Sequence, residues 1–146
     1  METQTMKEFS IKYRKTDFEQ IQILYSGDAD KAFRKFYDDD LNVYESAYIL
    51  LLNSSNKTKG FVKVGQGGIN STSVDIRLIC KFAIDTLSTA VILCHNHPSG
   101  NRTPSRQDEV LTKNLKKALE ILDIKLIDSL IITATDFYSF ADEGLI

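Results

Sequence analysis

The sequence predicts an α/β (α+β) fold, a layered sheet flanked by helices. Three observations predict it. Apolar runs of strand length recur at residues 47–52 (AYILLL), 90–94 (AVILC) and 124–133, and such runs suit strands covered on both faces. A long segment with helical periodicity, residues 103–122, lies between the second and third runs. Strands and helices therefore alternate along the chain, as they do in a layered α/β arrangement.

The elements follow in order. Residues 1–44 carry nine acidic and seven basic side chains and end near the run Asp38-Asp39-Asp40; they read as an N-terminal extension packed on a domain of residues 45–146. Within the extension, Phe9, Ile11 and Tyr13 alternate with polar residues as in a half-buried strand. Residues 28–37 read as an amphipathic helix with Ala32, Phe33, Phe36 and Tyr37 on its apolar side. Residues 53–59 form a polar turn between the 47–52 strand and a second one at 60–65, so the two pair as a hairpin that Gln66-Gly67-Gly68 ends. Ser73 or Thr72 can cap a helix running to about Leu87. Thr103-Pro104 suits the cap and first position of the next helix, whose apolar stripe is Leu111, Leu115, Ala118 and Leu122. Residues 137–140 supply a short last strand.

A chain of 146 residues fits one ordinary domain, and 42% hydrophobic with 26% charged residues belongs to a folded protein. No apolar run approaches the roughly 18 residues of a membrane helix, and METQTMKEFS lacks the apolar core of a signal peptide. A cytoplasmic protein without membrane association is expected. Cys80 and Cys94 are too few for a disulfide framework and both lie in apolar runs, so they read as reduced core residues.

The chemistry concentrates in His95-Asn96-His97-Pro98-Ser99-Gly100 and the following Pro104-Ser105-Arg106-Gln107-Asp108. The chain has only two histidines, and they are two positions apart. In an extended segment His95 and His97 point to one side, and Cys94 and Asn96 to the other. Stepping back three from Leu111 places Asp108 at the head of the inward stripe of the helix. A buried carboxylate without a partner is costly, so a metal ion held by His95, His97 and Asp108 accounts for it. Two histidines and one aspartate leave a fourth position open, which is a catalytic zinc pattern, not a structural one. Asp108 could instead be a capping-box acid with Ser105 as its cap.

HNHPSG followed by PSRQD resembles the JAB/MPN metalloprotease superfamily, most closely its RadC-like branch. Ten residues separate His97 from Asp108, as in that pattern, and the resemblance covers about residues 42–146, including YESAYILLLN, GGINSTSVDIR, LDIKLIDSLIIT and YSFADEGLI. The resemblance implies a cytidine-deaminase-like layered mixed β-sheet flanked by helices. It implies one Zn2+ per chain on His95, His97 and Asp108, Glu45 as general acid/base, and Ser105 stabilising the tetrahedral oxyanion. Metal-assisted hydrolysis of an amide bond in a peptide or protein conjugate is the implied activity.

Three departures qualify it. RadC proteins carry a DNA-linked helix-hairpin-helix region, whereas residues 1–44 hold no glycine hairpin between basic helices. The local basic cluster, Lys113, Lys116 and Lys117, reads as a solvated face; because DNA affinity rests on such contacts, direct DNA binding is not expected, and a DNA-repair-associated module or a non-catalytic scaffold is the alternative. Ser129 stands where relatives often have a histidine. The stretch from Glu45 to His95 is too short for the long insertions of eukaryotic deubiquitinating members. Phe9, Tyr13, Phe18 and Tyr25 with an exposed strand edge could support a homodimer.

Overall fold

The computed structural model describes residues 1–68 and 73–146. Its elements are α1 (Ser26–Arg34), a 3-10 turn (Asp39–Asn42), β1 (Ser46–Leu52), β2 (Thr58–Gln66), α2 (Ile76–Asp85), β3 (Ala90–Asn96), α3 (Arg106–Ile121), β4 (Lys125–Ile132) and β5 (Phe137–Ser139). The five strands form one mixed sheet in the order β2-β1-β3-β4-β5. Among the described residues only the β3–β4 pair is parallel, and α3 connects these two strands. A parallel pair needs such a crossover, since a tight turn cannot reverse the chain twice.

Period-two alternation splits the strands between two cores. Leu50, Leu52, Ile92, Cys94, Leu130 and Ile132 face α1, where Ala29, Ala32 and Phe33 cover them. Ile49, Leu51, Val91, Leu93 and Leu126 face α2 and α3, meeting Ile79, Ala83, Leu115 and Leu119. The central strands are thus buried on both sides, as their unbroken apolar runs required. Each fully buried Leu, Ile or Phe contributes about 1.5–3 kcal/mol. Ile23 and α1 belong to the first core, and the guanidinium of Arg34 donates to the carbonyls of Thr133 and Asp136 at 2.8 and 2.9 Å. No helix among the described residues is long and apolar enough to cross a membrane.

Several expectations need correcting. Phe9, Ile11 and Tyr13 form no strand and are 89%, 59% and 85% exposed. Alternation makes a strand only where a neighbour offers a ladder, and among the described residues none runs beside them. The first pairing of this segment comes later, where Gln22 bridges Lys57. Phe18 packs edge-on against Phe36 and Phe61. The cap of α2 is Asp75, which accepts the Arg77 amide at 2.9 Å; Ser73 precedes it and Thr72 lies outside the described residues. The inward stripe of α3 is Leu111, Thr112, Leu115 and Leu119, not Leu122, which is 40% exposed. Cys94 is buried and Cys80 half-buried, both free thiols.

Candidate metal centre

The site forms where β3 ends and α3 begins, the carboxyl edge of a parallel strand pair at which open α/β sheets place their ligands. His95 shares the alternation face of Val91 and Leu93, so it points toward α3 and is 3% exposed. His97 lies one residue past β3, and its amide donates to the Ile132 carbonyl at 2.9 Å, prolonging the β3–β4 ladder. The chain then turns: the Gly100 amide reaches the His97 carbonyl at 3.1 Å. Gly100 has φ +85, where a side chain would be strained. That turn sets the Asn101 carbonyl 2.7 Å from His97 Nδ1. A carbonyl only accepts, so Nδ1 carries a proton, and in the neutral ring the Nε2 lone pair would face the cleft.

The third candidate ligand comes from the first turn of α3. The helix begins two residues later than Thr103-Pro104 suggests, because Ser105 and Asp108 form a reciprocal capping box. Ser105 Oγ accepts the Asp108 amide at 3.1 Å, and Asp108 Oδ2 accepts the Ser105 amide at 2.7 Å. Two unpaired helix-end donors are thereby satisfied at once. The same carboxylate also faces both imidazoles. Asp108 Oδ1 lies 3.0 Å from His95 Nε2, and Oδ2 lies 3.2 Å from His97 Nε2. Asp108 is thus both the capping partner and a carboxylate that faces the two imidazoles.

One ligand atom from each of His95, His97 and Asp108 lies within 4.8 Å of the others, so this group could hold a metal ion. The residues fit one. His95 Nε2 is buried and makes no hydrogen bond; its approach to Asp108 has the distance of one but not the direction. An unsatisfied buried nitrogen costs about 1–3 kcal/mol, and a cation would supply its missing partner. Two imidazoles and one carboxylate form a borderline donor set suited to zinc among other first-row ions. Among the described residues the cluster has three members and opens onto a cleft of about 790 Å3.

The electrostatics agree with this fit. Burial alone would raise the Asp108 carboxyl, but the two imidazoles that face it at close range, with the Ser105 amide, hold it well below the usual carboxylate range. Burial would lower the His97 imidazole, yet Asp108, the Asn101 carbonyl and Glu45 together leave it raised. A divalent ion held here would compete with the imidazole proton.

Glu45 immediately precedes β1, is 9% exposed, and brings Oε1 to 3.6 Å from His97 Nε2. Its main chain is held on the β2 side, where its amide donates to the Gly68 carbonyl and its carbonyl accepts from Gly67. Ser105 lines the same cleft. Its hydroxyl acts as acceptor in the cap, which leaves the O–H proton available to a cleft ligand. Ser129 is fully buried on β4, and its hydroxyl accepts from Thr112 at 3.2 Å, joining α3 to the sheet. The sequence reading missed two contributors, the Asn101 carbonyl and the buried Asn96 side chain. Asn96 Nδ2 donates to the Leu41 and Tyr44 carbonyls at 2.6 and 2.7 Å, and its Oδ1 accepts the Ser46 amide at 2.8 Å. Alternation revealed that Asn96 points away from the histidines; partners some fifty residues distant left no local signal.

Residues 23–145 match the family described as "RadC-like JAB domain". A UPF0758 protein of Flavobacterium johnsoniae is 49% identical over 102 residues, covering 70% of this chain and 44% of that protein. UPF0758 proteins of Porphyromonas gingivalis and Shewanella baltica are 46% and 40% identical over 103 residues each, covering 70% of this chain and 45% and 46% of theirs. The chain spans less than half the length of these relatives. It belongs to the RadC-like JAB domain family.

Proposed function

We propose that this RadC-like JAB chain is a zinc-dependent metallohydrolase, a peptidase or isopeptidase that cleaves an amide bond in a peptide or protein conjugate. The observation that carries the reading is the convergence of His95, His97 and Asp108 around a buried, unsatisfied His95 nitrogen, with Glu45 beside them. His95 Nε2, His97 Nε2 and an Asp108 oxygen would hold one Zn2+. When bound, zinc supplies Lewis acidity and brings the pKa of water toward about 7.

The remaining steps belong to the chain. The Glu45 carboxylate takes the proton of the attacking water and passes it to the leaving amine, the double role of a general base and acid. The Ser105 hydroxyl donates to the oxygen on which charge develops. The His97–Asn101 contact keeps one imidazole in its ligating tautomer.

The cleft supports an uncharged, backbone-like substrate. Its described lining includes Ser73, Ser99, Thr103 and Gln107 but no lysine or arginine. Nucleic-acid affinity rests on lysine and arginine contacts to phosphate, so direct DNA binding is not part of this reading.

Elemental mass spectrometry of the purified protein tests it first. Close to one zinc per chain is expected, lost in both His97→Ala and Asp108→Ala. A peptide-library screen with Glu45→Gln as the metal-bearing control would then reveal cleavage. An absence of metal in the native chain even after zinc is supplied would sink the reading.

A further inference from the structure

Resting on that reading, we propose that Asn96 is the positioning residue for Glu45, holding the general base against the ligand strand. The argument begins with register. In the antiparallel β1–β3 pair Leu51 faces Val91, Ile49 faces Leu93 and Ala47 faces His95. Two residues further, the same register sets Glu45 opposite His97 on the same face of the sheet. The main-chain ladder ends at Ala47 and His95, however, two residues short of the pair that the chemistry needs.

Asn96 takes over where the ladder stops. Its side chain points to the α1 face, away from the metal ligands, and is fully buried. Oδ1 accepts the amide of Ser46 and Nδ2 donates to the carbonyl of Tyr44, so the amide grips the peptide groups on both sides of Glu45. The second Nδ2 proton goes to the Leu41 carbonyl at the 3-10 turn. The Tyr37 hydroxyl donates to the Ser46 carbonyl at 2.8 Å and steadies the same segment. Two donors and one acceptor on a short planar group are what the place requires. Aspartate cannot donate, and serine has a single proton.

The consequence is mechanical. The strand that carries His95 and ends beside His97 also fixes the backbone of the base, so ligand and base move together. Displacing a catalytic group by about 1 Å can cost on the order of 100-fold in rate. The Asn96 side chain does this from the opposite face of the sheet and does not line the cleft, so metal binding is expected to survive its loss.

Two readouts test the assignment. Hydrogen exchange at the Ser46 amide, whose acceptor is Asn96, should quicken at least about tenfold in Asn96→Ala, while β3 amides keep their protection. Loaded with Co2+, Asn96→Ala should retain one ion per chain, and the pH at which its visible spectrum changes should shift in the direction that Glu45→Gln produces. The double variant should match Glu45→Gln alone. Asn96→Ser carries the same test if the alanine variant fails to fold. An unshifted Co2+ inflection despite rapid Ser46 exchange, or additive shifts in the double variant, would reduce Asn96 to a structural residue and overturn the proposal. If the native chain takes up no Co2+, the hydrolase reading fails, and the anchoring claim is decided by Ser46 exchange alone, unchanged protection overturning it.

Discussion

Asp108 and Asp128 are both largely withdrawn from water, yet their surroundings drive them in opposite directions. Asp128, on β4, is 4% exposed and accepts the Ser129 amide at 2.7 Å, the Ser139 hydroxyl at 2.6 Å and the Ala141 amide at 3.0 Å. All three donors are neutral, and burial outweighs them, pushing the carboxyl above its ordinary range. Asp108 gives one oxygen to a helix cap and both to imidazole nitrogens, which hold it below that range. A carboxylate surrounded by neutral donors closes a fold, here pinning β5 to β4. One surrounded by groups that exchange protons is set to accept a cation.

That contrast can be broken experimentally. The largest effect is expected from Asp108→Asn, which keeps an acceptor for the cap but removes the charged ligand. Zinc content should fall from about one per chain to near zero by elemental analysis, with the far-ultraviolet dichroism of a folded protein. Glu45→Gln comes next. It should retain the metal and lose about 10²–10⁴-fold in turnover of a peptide found by library screening. Loss of metal along with turnover would move Glu45 from base to ligand.

Asp128→Ala tests the other side of the comparison. It strands two amides and a hydroxyl, so chemical denaturation should show a loss of about 2–4 kcal/mol, while the fraction that remains folded binds zinc normally. The pH dependence of metal affinity sharpens the difference further. Because the His97 imidazole is raised, its proton competes with the metal beginning above pH ~6.5. Affinity, followed by chelator competition, should weaken as pH falls through that region by up to about tenfold per unit for each proton displaced. Asp128→Asn should leave this profile unchanged. Ser105→Ala should have the smallest effect on stability, about 1 kcal/mol from the lost cap, beside a separate decrease in turnover.

Much of this was legible in the residues, though unevenly. The strands at 47–52, 90–94 and 124–133 declared themselves because double-sided burial leaves unbroken apolar runs. His95 and His97 were placed on one side by alternation alone, and Asp108 on the inner side of α3 by helical spacing. Glu45 needed the family pattern, since a glutamate ahead of a strand carries no local mark of its role; its place beside His97 depends on a register set by strands far apart in sequence. The Phe9–Tyr13 alternation misled for a related reason, as period two describes a strand only once a partner exists. The α3 cap was displaced by two residues because a reciprocal pair outcompetes an isolated threonine.

The capping box has one more consequence. Because a single carboxylate starts α3 and faces both imidazoles, foldability and metal uptake make separate demands on position 108. Asparagine or serine there would still begin the helix, and the resulting proteins would express, fold and resist proteolysis like the parent. A survey of substitutions scored by abundance would rate them harmless, whereas one scored by bound metal would reject them. Under the proposed reading, a substitution at position 108 that abundance screening forgives is one that metal binding does not.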